Sequence, residues 1–150
     1  MTTEPWLETL APDTCAALLR QGSVGRIAVV VNGFPVVLPV NYKLVETVGH
    51  VWIAVRTRPG NVIDEGGMHA AFEIDNIDPA AHEGWSVLVR GMLQRIDPDA
   101  ADVRTRFDPE PWMSAERDVW LFLEPFMITG RKLHAPDSTW TVPLETILGM

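Results

Sequence analysis

Asn32-Gly33, set between two runs of strand-forming residues, limits more than any other feature what this chain can fold into. Both residues tolerate positive φ, so the pair closes a two-residue hairpin whose twist matches that of the flanking strands. On its N-terminal side, residues 24–31 form a nearly continuous β-branched run of the kind that suits a buried strand. On its C-terminal side, residues 34–45 return, interrupted by Pro39. Proline cannot donate to a ladder, so Pro39 demands an edge position or a bulge. A bulge there would free backbone groups and turn the polar side chains of Val40-Asn41-Tyr42 toward a ligand.

The same grammar continues along the chain. Val48-Gly49 turns it into a strand over 50–56, where Val51, Ile53 and Val55 alternate with Trp52, Ala54 and Arg56. Further strands are predicted over 69–75, 85–96 and 119–128. In the second of these Val87, Val89, Gly91 and Leu93 share one face, with Ser86, Leu88, Arg90 and Met92 on the other. A short helix begins at Pro12-Asp13-Thr14 and stops at Gly22, a good residue for a left-handed C-terminal position. One helical turn fits 61–66, closed by Gly66-Gly67, and another helix fits 98–107 in an acidic, proline-punctuated surface segment. Residues 1–12 read as a lead-in packed through Trp6 and Leu7. Residues 134–150 read as an irregular tail, docked because Trp140, Leu144 and Ile147 are too apolar to hang free. About six strands with hairpin-length connections and short flanking helices predict a mainly β (α+β) fold, an antiparallel barrel or sandwich in one domain spanning 1–150. Long strands favour closure, because a barrel removes exposed edges.

Charge narrows the partners. The 150 residues carry a net charge of −8, which argues against general binding to nucleic acid or to an anionic membrane. With no long apolar run and no charged leader, the expectation is a cytoplasmic protein. The single cysteine, Cys15, excludes an internal disulfide and reads as a small core residue. His50, His69, His82 and His134 lack metal-ligand spacing, and no serine sits in a nucleophile elbow. Against this acidic background stands one basic turn, Arg56-Thr57-Arg58-Pro59-Gly60-Asn61. Two guanidiniums, a hydroxyl, a glycine and an amide could hold a phosphate; equally, this could be a solvated strand end. Tyr42 and Trp85 could line a ligand or fill a core. Arg90 could reach a phosphate or make a salt bridge between subunits. Six tryptophans point to a protein interface or a ligand wall, and so to a homodimer.

The order LLRQGSVGRIAVV, NGFPVVLPVNY, VWIAVRTRPGN, AAFEIDNID, GWSVLVRG and WLFLEPFMITGRKL resembles the pyridoxamine 5′-phosphate oxidase-like, flavin-binding split-barrel family. It is similar to the branch that includes nitroimidazole-resistance-type and many actinobacterial proteins. The resemblance covers roughly residues 10–133. It implies a six-stranded antiparallel split β-barrel that forms a homodimer with two FMN sites at the interface. By position, Pro39, Val40, Asn41 and Tyr42 match the strand beside the isoalloxazine ring. Arg56, Thr57, Arg58 and Asn61 match the phosphate-binding element, and Trp85 and Ser86 the strand start that closes over the ribityl-phosphate arm. Thr129-Gly130-Arg131 matches a strand end near the interface. The family often carries a lysine where this chain has Asn61, so either Arg56 and Arg58 compensate or the site is weakened. The resemblance implies an FMN-dependent oxidoreductase working on a small-molecule substrate, with reduced nicotinamide as a donor. The alternatives are a non-catalytic cofactor-binding or storage dimer and a reductase using the deazaflavin F420. The polyglutamate tail of F420 would favour a basic groove, and this chain has only Lys43 and Lys132. Haem, with His69 or His134 as a ligand, ranks lower. No catalytic acid or base stands out, as expected where a cofactor carries the redox chemistry.

Overall fold

The computed structural model describes residues 6–111 and 119–134. Strand β1 (Trp6–Thr9) precedes helix α1 (Pro12–Gln21), followed by β2 (Val24–Val31), β3 (Phe34–Thr47), β4 (His50–Thr57), β5 (Met68–Asp78) and β6 (Glu83–Ile96). A 3₁₀ turn (Ala100–Asp102) runs into the one-turn helix α2 (Val103–Arg106), and β7 (Val119–His134) closes the fold. All pairings are antiparallel, in the order β1-β7-β4-β3-β2-β5-β6, and β6 pairs in turn with β7. Strands β2 to β7 therefore form a closed ring, with β1 added outside it.

Asn32 and Gly33 both take positive φ (50° and 83°), which sets the β2–β3 register at Val31↔Phe34. Pro39 lies opposite Arg26 in an unbroken register, so no bulge forms there. Strand β3 tolerates the proline because its first half pairs with β2 alone; pairing with β4 starts only at Tyr42↔Val55. The irregularity falls instead between Arg90 and Gly91, where β6 meets β7. There Gly91 is obligatory in steric terms, since a β-carbon would overlap the Glu124 carbonyl.

The interior is filled by alternating residues, among them Ile27, Ile53, Val55, Phe72, Val87 and Leu121, capped at one end by Leu18 and Leu19 of α1. Tyr42 belongs to this core: it is 2% exposed, stacks edge-on to Phe72 at 4.7 Å, and donates its hydroxyl to the Leu19 carbonyl at 2.7 Å. Gly22 ends α1 with φ −70°, not in the expected left-handed conformation. What requires glycine there is the Tyr42 hydroxyl, which a β-carbon would strike. A second, smaller core lies on the outer side of β4 and β7, where Trp120, Phe122 and Val45 are covered by Val103 and Phe107.

Other boundaries depart from expectation. The lead-in contributes β1, paired from Trp6↔His134 to Thr9↔Arg131, and Leu7 is exposed instead of packed. Strand β7 runs through Thr129-Gly130-Arg131, since Arg131 pairs with Thr9 on one side and Ser86 on the other. The helix expected over 98–107 shrinks to two short turns, because Pro98 and the acidic run supply only Val103 and Phe107 as apolar anchors. Trp140, Leu144 and Ile147 lie outside the described residues. No helix among the described residues is long and apolar enough to cross a membrane.

Candidate functional site

The ring opens where β3 and β4 part. Beyond Tyr42↔Val55, β4 leaves β3 and continues on β7 alone, through Arg56↔Trp120 and Thr57↔Val119. No ladder joins β3 and β4 past that point, and a cleft forms. Pro39, Val40 and Asn41 supply one wall. Arg56, Thr57, Arg58 and Asn61 supply the other, with Leu38 and Ile63 at the base and Pro111 across the side. The enclosed volume is about 240 Å³. Seven of the ten sequence-derived site residues thus line one cavity, drawn from β3, the end of β4 and the turn after it.

Each cation there has a distinct setting. Arg56 projects from the outer side of β4 and is only 17% exposed. One of its guanidinium nitrogens donates to both carboxylate oxygens of Asp108, at 3.0 and 3.2 Å. The guanidinium also lies 4.8 Å from the centre of the buried Trp120 ring, which Arg104 approaches at 5.7 Å. Arg58 is exposed and makes no ion pair among the described residues.

The turn is held by its own polar groups. Gly60, at φ +86°, donates its amide to the Asp64 carboxylate at 2.6 Å. The Asn61 side-chain oxygen accepts the Ile63 amide at 3.2 Å, and Ile63 is fully buried. Asn61 therefore stabilises the turn rather than replacing the charge of a lysine. Nothing stands within 4 Å of the position a Gly60 β-carbon would take, but the Gly60 amide itself is already taken by Asp64.

Three predicted residues lie elsewhere in this chain. Tyr42 faces the barrel interior, two positions along β3 from Val40, and is closed off from the cleft by its own packing. Burial alone pushes the pKa of its hydroxyl up, as expected of a core phenol. Trp85 and Ser86 line a separate cavity of about 560 Å³, with Arg131, His82, Ile77 and Leu7. Trp85 is 9% exposed and packs with the core. Arg90 borders a third, largely apolar groove of about 520 Å³ and contacts the Met127 sulfur at 3.0 Å. Cys15 is buried, which raises its thiol pKa. Reasoning from sequence missed Asp64, Asp108 and Pro111. Asp64 stands four residues from Gly60 and could have been read as a turn acceptor. Asp108 gives no signal, because only the fold brings it to Arg56 across 52 positions.

A closed six-stranded barrel with a cleft where two of its strands part defines a split barrel. The chain belongs to the pyridoxamine 5′-phosphate oxidase family, whose profile matches residues 11–132. It is 27% identical over 135 residues to the uncharacterised protein Rv0080 of Mycobacterium tuberculosis, covering 85% of this chain and 86% of the other. Among solved structures it resembles an FAD-binding protein of Mycobacterium smegmatis (TM-score 0.62, 24% identity), covering 85% of this chain and 98% of that one. It also resembles an FAD-binding protein of Mesorhizobium loti (TM-score 0.68, 20% identity), with 86% and 98% covered.

Proposed function

We propose that this chain binds a flavin, FMN first among the candidates, and acts as a flavin-dependent oxidoreductase on a small organic acceptor. The observation that carries the reading is the convergence of Pro39–Asn41 with Arg56, Thr57 and Arg58 on one cleft. Its donors suit a phosphate: Arg58 is open to solvent and Arg56 is held against Trp120. The bound flavin would supply two-electron redox chemistry at its ring. The protein's part is to hold the phosphate end at the turn and to offer backbone groups of 39–41 to the ring.

At about 240 Å³ the cleft is smaller than the 300–1,000 Å³ cavities that usually enclose a ligand of this size. A second surface is needed to complete it, which supports a homodimer. Exposed Val30, Phe34, Val37 and Phe126 give the outer face apolar area for such an interface. If Trp85 and Ser86 serve the same cofactor as Arg56, they do so from the partner subunit. FMN is favoured over F420 because both described lysines are engaged. Lys43 reaches the Arg106 carbonyl at 3.2 Å and Lys132 reaches Glu8 at 3.2 Å, so neither lines an open groove for a polyanionic tail. The FAD named for the two structural relatives makes FAD the next flavin to try.

The test is direct. Purified protein is titrated with FMN, FAD and F420, and binding is followed by absorbance and by quenching of cofactor fluorescence. A saturable FMN complex, bleached anaerobically by reduced nicotinamide, is the expected result. Binding without bleaching by any donor would leave a cofactor-carrying dimer, and no binding of any flavin would refute the proposal.

A further inference from the structure

We propose that Asp108 is an affinity- and specificity-determining residue of the cleft, an internal carboxylate that competes with a ligand's phosphate for Arg56. This rests on the flavin reading above and adds a residue with a defined effect on one part of the ligand. Arg56 is the better-placed of the two cleft cations, braced against Trp120 and mostly shielded from water. Its guanidinium already makes charge-assisted contacts at 3.0 and 3.2 Å with both oxygens of Asp108. The segment carrying Asp108 also walls the cleft: Pro111, three residues on, lines the same cavity as Arg56. Asp108 is about one-third exposed, so water can receive its carboxylate once it is displaced.

Both contacts use one nitrogen of the Arg56 fork, and a second anion drawn to the same guanidinium is repelled by the carboxylate already there. A phosphomonoester therefore has to expel the carboxylate or accept a poorer share of the guanidinium. The cost falls only on ligands that present a phosphate to Arg56. Riboflavin, which has the same ring and ribityl chain but no phosphate, escapes it. Asp108 thereby lowers affinity for FMN without changing affinity for the neutral flavin. The bland competing role, a tether holding 103–111 on the barrel, would change stability and leave the FMN-to-riboflavin ratio untouched.

The experiment measures dissociation constants of FMN and riboflavin for wild type and Asp108→Asn, with folding checked by circular dichroism. Asp108→Asn is expected to bind FMN about tenfold more tightly, the scale of one charge-assisted contact, with riboflavin affinity unchanged. Asp108→Glu, which keeps the charge, is expected to behave as wild type. If Asp108→Asn does not fold, Asp108→Ser takes its place with the same expectation. An unchanged or weaker FMN affinity in the neutral variant overturns the inference. Should neither protein bind any flavin, the functional reading fails separately, and inorganic phosphate decides this one. A larger phosphate-dependent rise in melting temperature for the neutral variant than for wild type sustains competition at Arg56, and equal rises overturn it.

Discussion

Arg26 on β2 sits outside the barrel between two acids of β5, with one guanidinium nitrogen 3.0 Å from Glu73 and 3.2 Å from Asp75. One cation shared between two carboxylates cannot satisfy both. The Glu73 carboxyl is pushed up from 4.5 to about 7, first by burial and then by its hydrogen bond to Asp75 and that residue's charge, with Arg26 opposing. In the unfolded chain Glu73 ionises near 4.5, so between that value and about 7 the folded state holds a proton that the unfolded state has released. Stability is therefore highest below that window, falls as pH rises through it, and is lowest above it. Fully buried, such a displacement would correspond to about 3 kcal/mol. Glu73 is 34% exposed, and solvent screening reduces the expected loss to about 1 kcal/mol. Urea unfolding of wild type and Glu73→Gln at several pH values between about 5 and 8 measures it. Wild type should lose about 1 kcal/mol more than the variant across that range, with histidine contributions cancelling between the two proteins. Superimposable pH profiles would show that Glu73 is ionised throughout, and the reasoning would fail.

Two further substitutions test the frame that holds the cleft. Gly91→Ala should destabilise by roughly 3 kcal/mol or more, because its β-carbon would meet the Glu124 carbonyl at the irregularity between β6 and β7; thermal melting of the variant checks this. Tyr42→Phe should cost about 1–2 kcal/mol in urea unfolding, since it leaves the buried Leu19 carbonyl without its donor, and should leave flavin affinity unaltered because the hydroxyl points away from the cleft.

Much of the barrel is written in local signals. Asn32-Gly33 sets the first hairpin, and alternation along 50–56 and 85–96 assigns residues correctly to the two faces of their strands. The basic turn is equally visible, since Arg56, Thr57, Arg58 and Asn61 are neighbours in sequence and remain neighbours around the cleft. What local signals do not contain is partnership. Pro39 demanded an edge or a bulge, and only the point where β4 leaves β3 makes it an edge. Gly22 looked like a left-handed cap, but the restriction comes from a tyrosine 20 positions later in the chain. Tyr42 is polar in sequence context and core in fact, because strand parity places it with Val40 and Leu44 on the inner face. The carboxylate on Arg56 arrives from a segment whose acidity suggested only a solvated surface.

Comparing FMN with riboflavin on wild type and Arg56→Ala tests most directly whether the cationic corner holds a flavin's phosphate. Wild type should bind FMN at least about tenfold more tightly than riboflavin, and Arg56→Ala should erase that preference while riboflavin affinity stays the same. Equal affinities for the two flavins in wild type, or a preference that survives loss of the guanidinium, would contradict the assignment.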